Sequence, residues 1–268
     1  MGSKAKSDVV FLPLGGCGEI GMNFNLFGHR DAWLAVDCGI TLEQQPGALR
    51  PSVQMPDLQF ISTRRKQLVG LIVTHAHEDH LGALPYLWEA LGCPVYATPF
   101  AAAVLRHKTR SRGGVLPSPL IEIEPGDAFT LGPFSVEWIP ITHSTPETCA
   151  LAIRTPDSCI VHTADWKIDA APVVGNAWSA KRFEALAKEG VDAVICDSTN
   201  ALRAGKSPSE GEVAQALGEL IASRNGRVVV GCFSSNIARI QTLADIAAKT
   251  NRYLAILGRS ASGMARCA

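Results

Sequence analysis

The chain has 268 residues, 25 Lys and Arg against 25 Asp and Glu, seven His and eight Cys, with 47% hydrophobic and 19% charged residues. That length and composition suit one large or two small globular domains with a proper core and exclude a disordered chain. A net charge of zero removes bulk attraction to polyanions, so any nucleic-acid binding has to rest on a local basic patch.

No apolar run is long enough to span a membrane, so no membrane partner is expected. Met1 to Asp8 is polar and lacks a signal-peptide core, and Lys6 breaks the myristoylation pattern that Gly2 opens. The cysteines are scattered, with no C-x-x-C pair, which excludes a zinc ribbon and argues for buried free thiols in a reducing cytoplasm.

In chain order, short apolar runs closed by glycine predict strands over 9–14, 23–27 and 33–36. Residues 41–67 hold three prolines and predict a long loop with a short helix. A strand over 68–74 runs into His75, and Leu81, Leu84, Leu87, Trp88 and Leu91 then follow helical spacing. A strand over 94–97 and a helix over 101–112 follow, then strands over 119–123, 128–131, 134–141, 149–154 and 158–163. A loop and helix occupy 172–190, and a strand covers 193–196. Ser207 and Glu210 have capping-box spacing, with Pro208 at the first helical position. Strands over 227–232 and 253–257 around a helix over 237–248 predict a β-α-β tail on a parallel sheet, with the next helix begun at the end of the chain.

Gly16-Cys17-Gly18-Glu19-Ile20-Gly21 has dinucleotide-binding spacing. Too few residues separate Gly21 from Trp33 for the helix that motif needs, so the glycines are read as a tight turn beside a cleft. The chemistry lies in His75-x-His77-x-Asp79-His80, at the end of a buried-type strand. In extended chain His75 and His77 point the same way, as two imidazoles on one ion would, while Asp79 and His80 at the turn can address a second ion. Later strand ends offer His143, His162 and Asp165. Of the last two, Asp165 is favoured, because a carboxylate can bridge two cations where imidazole cannot.

The order strand, HxHxDH, His, Asp resembles the metallo-β-lactamase fold, an α/β αββα sandwich. The chain is similar, more closely, to the ribonuclease J family in its beta-CASP branch. The resemblance is carried by Leu14 to Gly21, Val36-Asp37-Cys38-Gly39, Thr74 to Leu87, Thr142-His143-Ser144, and His162 to Asp169. Cys196 to Ala201, Phe233-Ser234-Ser235-Asn236 and Gly258-Arg259-Ser260 extend it.

The resemblance implies a two-zinc hydrolase of RNA phosphodiesters, acting as a 5′–3′ exonuclease and an endonuclease in RNA processing and decay. It prefers single-stranded RNA with a 5′-monophosphate and assembles as a homo-oligomer. His75, His77 and His143 match ligands of one zinc, Asp79 and His80 ligands of the other, and Asp165 the bridge. Asp37 matches a supporting residue, and Asp197 the acidic residue that opens the beta-CASP domain. Asp79, Asp165 and Asp197 are the expected catalytic carboxylates.

A lactamase-type domain is expected over 9–195 and the start of a beta-CASP domain over 196–268. Members of that family are longer and carry further histidines downstream, so the chain is expected to be an N-terminal portion with an incomplete second zinc site. Ala164 stands where the family usually has glycine.

The metal chemistry also follows from the residues alone. Two ions about 4 Å apart can lower the pKa of a shared water toward ~7, and hydroxide then attacks phosphorus in line. Arg106, His107, Lys108, Arg110 and Arg112 form a basic cluster suited to RNA. Ser234, Ser235, Asn236, Arg259 and Ser260, beyond the carboxyl ends of the tail strands, suit an RNA phosphate. The competing readings are a small-molecule metallo-hydrolase for thioesters or lactams, and a truncated, inactive RNA-binding fragment.

Overall fold

The computed structural model describes residues 9–49, 51–116 and 119–268, so the reading of Met1 to Asp8 lies outside the described residues. The strands are β1 (Val9–Gly15), β2 (Phe24–His29), β3 (Ala32–Val36), β4 (Thr41–Glu43), β5 (Ser52–Gln54), β6 (Leu68–Val73) and β7 (Val95–Ala97). They continue as β8 (Leu120–Glu122), β9 (Ala128–Leu131), β10 (Phe134–Pro140), β11 (Cys149–Thr155), β12 (Ser158–His162) and β13 (Ala193–Ile195). The helices are α1 (Gln59–Ser62), α2 (Glu78–Leu81), α3 (Leu84–Leu91), α4 (Pro99–Ser111), α5 (Lys181–Glu189), α6 (Glu210–Ala222), α7 (Ile237–Lys249) and α8 (Arg259–Cys267).

Two sheets face each other. One runs β1-β2-β3-β6-β7-β8, antiparallel through β1–β3 and parallel from β3 onward. The other runs β13-β12-β11-β10-β9, antiparallel except for the parallel β12–β13 pair. Between them Phe27, Leu34, Val36 and Ile72 meet Phe134, Val136, Trp138, Leu151 and Ile153, an apolar layer with every member buried. The outer face of the first sheet packs on α3 and α4 through Leu84, Trp88, Leu91, Phe100, Val104 and Leu105. The outer face of the second carries Ala150, Ala152 and Val161 against Leu186 of α5. Helix, sheet, sheet, helix is the αββα sandwich that the sequence leads one to expect. Alternation explains it: each central strand sends successive side chains to opposite faces, and both faces are covered.

Several expectations are corrected. Residues 41–67 contain the β4–β5 hairpin as well as α1. Its strands are three residues each, with one exposed apolar residue apiece, Leu42 and Val53, and runs that short do not announce a strand.

The capping box sits two residues later than its first match in the sequence. Ser209 caps α6 and pairs reciprocally with Glu212. Glu210 is unavailable to Ser207, because its backbone N–H is held by Asp169 and its carboxylate faces Lys167 and Arg239.

The tail holds α7, but 227–232 and 253–257 form no ladder with any described strand. Val229, Tyr253 and Leu257 are exposed there, and apolar residues specify a buried strand only where a second layer covers them. All eight cysteines are free, but only Cys38, Cys93 and Cys149 are buried. Burial pushes the Cys93 and Cys149 thiols up to about 12, which keeps them protonated.

Candidate metal centre

The ligand-bearing segments converge at one edge of the sandwich. β6 ends at Val73, and Thr74 to His77 leave it in extended chain before α2 begins at Glu78. β10 ends at Pro140, three residues before His143, and β12 ends at His162, three before Asp165. Segment 37–40, after β3, is stitched to the α2 turn by backbone bonds: Cys38 N–H to the His80 carbonyl at 2.6 Å and Ile40 N–H to that of Glu78 at 3.0 Å. Gly39 is required there, because a Cβ would lie 1.7 Å from the Asp79 carbonyl oxygen.

His75 Nε2 lies 3.0 Å from His77 Nδ1, which lies 3.1 Å from His143 Nε2. Three imidazole nitrogens at this spacing match the edges of a tetrahedron around zinc, roughly 3.3 Å for bonds of about 2.0 Å. The outer nitrogens of His75, His77 and His80 have partners that suit the same reading. Thr74 Oγ1 donates to Asp37 at 3.0 Å and accepts from His75 Nδ1–H at 3.0 Å, which leaves Nε2 as the lone-pair atom. Ser144 Oγ lies 3.1 Å from His77 Nε2, so that nitrogen carries the proton and Nδ1 faces inward. His80 Nδ1–H donates to Asp37 Oδ2 at 2.8 Å, and its Nε2 faces Asp165 Oδ1 at 3.3 Å and Asp79 Oδ2 at 3.6 Å.

Asp165 turns its other oxygen, Oδ2, to His143 Nε2 at 3.7 Å. The atoms fall into two groups, His75–His77–His143–Asp165 and Asp79–His80–Asp165, each spanning at most 4.8 Å, with Asp165 in both. An N₃O set beside an NO₂ set fits a pair of divalent transition ions of the zinc type.

The electrostatics fit as well. Burial, reinforced by the other imidazoles, pushes His75 well below its usual range, His77 down to about 4, and His143 down too. Rings in that state are neutral and ready to ligate. Burial also acts to lower His80, but the Asp37 and Asp165 carboxylates outweigh it and hold this ring well above its usual range. For Asp165, burial is outweighed by the His80 hydrogen bond and the surrounding rings, which keep it ionised.

His162, the alternative to Asp165, lies outside both groups. It is buried, accepts from the Ala164 N–H at 3.2 Å, and sits 3.4 Å from the Asn25 amide. Ala164 adopts a left-handed φ of 50°, which throws Asp165 back toward the metal ligands.

Asp197 is near but not among the ligands. Its Oδ1 accepts from Thr199 N–H and Oγ1 at 2.9 and 2.6 Å, and it borders a pocket of about 460 Å³ with Asp79, His80 and Asp165. The Gly16–Gly21 turn lines the same pocket, with β2 and no helix after it.

A cleft of about 930 Å³ is lined by His77, Asp79 and Asp165 and also by Ser234, Ser235, Asn236 and Ser260. Arg259 borders a neighbouring cleft of about 1200 Å³ instead. In the basic cluster, Lys108 and Arg112 both line the metal cleft; Arg112 stacks on Tyr86 at 3.6 Å, Lys108 pairs with Glu78, and Arg106 pairs with Glu122. Asn23, whose amide Nδ2 lies 3.2 Å from His80 Nε2 and donates to the Asp79 carbonyl at 3.1 Å, has no signal in the sequence. Thr74 and Ser144 adjoin His75 and His143 within stretches that carry the family resemblance, but nothing there announces their contacts with ring nitrogens.

The Metallo-beta-lactamase superfamily signature matches residues 21–168. The chain belongs to the metallo-beta-lactamase superfamily. The beta-CASP domain of ribonuclease J matches residues 225–268. The chain is 46% identical over 260 residues to ribonuclease J of Sinorhizobium meliloti, covering 94% of itself and 45% of that protein. It is 39% identical to ribonuclease J of Mycolicibacterium smegmatis, covering 92% and 44%, and 36% identical to that of Helicobacter pylori, covering 97% and 38%. The chain therefore spans less than half the length of these relatives. A solved structure from Enterococcus faecalis, a protein of unknown function, superposes with a TM-score of 0.63 at 19% identity over 96% of this chain and 66% of its own, which speaks for the fold alone. Among the described residues no helix is long and apolar enough to cross a membrane.

Proposed function

We propose that this chain carries the metal centre of a ribonuclease J-like enzyme: zinc-dependent hydrolysis of RNA phosphodiester bonds, internally and from a 5′-monophosphorylated end. The observation that carries the reading is Asp165, which offers one oxygen to each of two ligand groups at the floor of an open cleft. The likeness to ribonuclease J over most of the chain supports the choice of RNA.

His75, His77 and His143 would hold one ion, Asp79 and His80 the other, and Asp165 both. Zinc bound there lowers the pKa of water toward about 7 and polarises a phosphoryl oxygen. The residues of the chain do the rest. Asp37, Thr74 and Ser144 keep ring protons on the outer nitrogens. Ser234, Ser235, Asn236 and Ser260 line the same cleft as His77, Asp79 and Asp165, where hydroxyls and amides could position a phosphate. Arg259 borders the adjoining cleft and would supply charge to the RNA backbone farther from the reaction. Asp197 borders the metal pocket as a third carboxylate and is assigned proton handling there.

The lactamase-type portion is taken as 9–195, ending with β13, and the beta-CASP portion as beginning at 196. Single-stranded RNA suits an open cleft, and the family resemblance extends the proposal to RNA processing and decay in the cytoplasm by a homo-oligomer. A thioester or lactam hydrolase would share the metal ligands but has no use for the serine-rich lining of the cleft.

The test is zinc-loaded protein on a 5′-monophosphorylated single-stranded RNA and on a glutathione thioester. RNA cleavage lost on His77→Ala is expected. Thioester turnover with RNA left intact would favour the small-molecule hydrolase.

A further inference from the structure

The loops that carry His143 and Asp165 are tied to each other and then to the α6–α7 part of the chain. Lys167 N–H donates to the Thr142 carbonyl at 2.9 Å, the Thr142 hydroxyl donates to the Lys167 carbonyl, and Asp169 N–H donates to that hydroxyl at 3.2 Å. The two loops are therefore joined by three hydrogen bonds.

Asp169 anchors these joined loops from outside. It is 2% exposed, and both of its oxygens are used: Oδ1 accepts from Ala171 N–H at 2.9 Å, while Oδ2 accepts from Glu210 N–H at 2.8 Å and lies 3.3 Å from Lys167 Nζ. Glu210, the first residue of α6, places its carboxylate 3.6 Å from Lys167 Nζ and 3.2 Å from Arg239 Nη2 of α7. On the His143 side, the Ser144 carbonyl accepts from Ile237 N–H, in the first turn of α7, at 3.1 Å. Lys167, Asp169, Glu210 and Arg239 are not among the residues that line the two clefts beside the ligands.

We propose that Asp169, supported by Lys167, Glu210 and Arg239, is a positioning residue that holds Asp165 between two metal ions, so that docking of α6 and α7 sets the geometry of the metal centre. The inference rests on the reading of Asp165 as the shared ligand. Its physical basis is that a buried carboxylate accepting two backbone N–H bonds and an ammonium fixes the chain on both sides of it. Asparagine cannot substitute. With its oxygen on one N–H, its amide NH₂ faces the other, donor to donor.

The experiment is cobalt(II) titration of the metal-stripped 268-residue chain, followed by visible absorption and by chelator competition, with melting of the metal-free chain measured alongside. The parent is expected to show two binding events. Asp169→Asn should weaken the second event about 10–100-fold and alter its absorption band, the range seen when the partners of metal ligands are removed, with the first event little changed. Glu210→Gln keeps the backbone N–H to Asp169 but loses the charge on Lys167 and Arg239; it should weaken the second event in the same direction, and it decides the matter if Asp169→Asn does not fold. A lowered melting temperature with second-ion affinity and spectrum as in the parent would overturn the proposal, since a merely structural residue behaves that way. A parent that binds a single ion, or an Asp165→Asn variant that keeps both events, would overturn the bridging assignment itself.

Discussion

Gly39→Ala tests how tightly the metal centre is built into the fold. The added Cβ would lie 1.7 Å from the Asp79 carbonyl oxygen, 2.0 Å from its carbon and 2.6 Å from the His80 nitrogen. These are backbone atoms of two ligands, so no side-chain rotation relieves the clash. To reach even a tight 3.0 Å contact, the α2 turn or segment 37–40 must retreat by more than an ångström. Three backbone bonds resist that: Cys38 N–H to His80, Ile40 N–H to Glu78 and Asn23 N–H to Asp79. Overpacking of this kind costs about 1–3 kcal/mol, or roughly 2–4 °C of Tm per kcal/mol in a chain of this size. The shift also separates Asp79 and His80 from Asp165, so the second ion should bind about 10–100-fold more weakly, as when other supports of a metal ligand are lost. Thermal melting of the metal-free chain and zinc counting by elemental analysis read both effects. Gly226→Ala, where a Cβ meets nothing within 4 Å, is the control and should change little. Parental Tm together with parental zinc content in Gly39→Ala would refute the reasoning.

Asp37→Ala leaves His80 Nδ1–H and Thr74 N–H without their buried acceptor; it should cost about 3–5 kcal/mol, as breaking a buried charged pair does, and a Tm within a degree of the parent would contradict it. Below pH 6.5 the metal-free chain should lose stability, because His75, His77, His143 and His162 have folded pKa values below the unfolded one, so the unfolded chain binds more protons. His80 opposes this: its raised pKa adds stability that is fully present below 6.5 and is lost as pH rises through its folded value. Four rings against one make the net Tm fall between pH 6.5 and 5, and a flat or rising Tm there would contradict it. Metal affinity should split by site for the same reason. The three-imidazole group should change little between pH 7.5 and 6, while the His80 group strengthens with pH because His80 must first release a proton; parallel pH curves for the two binding events would count against these protonation states.

The candidate metal-binding residues stand out in the sequence because they cluster. His75, His77, Asp79 and His80 fall within six consecutive positions after an apolar strand, and His143 and Asp165 each follow a strand end. The sandwich was legible from the same strands, whose apolar residues report two covered faces. Of the residues around them, Asp37 was expected through the family resemblance and the rest had no signal. Thr74 and Ser144 are ordinary hydroxyl residues until the fold brings Asp37 and His77 against them, across 37 and 67 positions of sequence. Ala164 gives no local sign of its left-handed conformation. The β4–β5 hairpin escaped because Thr41–Glu43 and Ser52–Gln54 are only three residues each, too short for a period to show. The apolar runs at 227–232 and 253–257 failed in the opposite sense. Their composition fits strands, but pairing is a tertiary property, and no described strand adjoins them. For α6, two matches to one capping pattern overlapped, and contact with Asp169 selected the second.

The most direct test of the account is anomalous diffraction at the zinc edge from crystals of zinc-loaded protein. The account predicts two peaks about 3.5–4 Å apart, the separation usual in two-metal sites, one against His75, His77 and His143 and the other against Asp79 and His80, with Asp165 between them. A single peak, or two peaks that do not share Asp165, would contradict it.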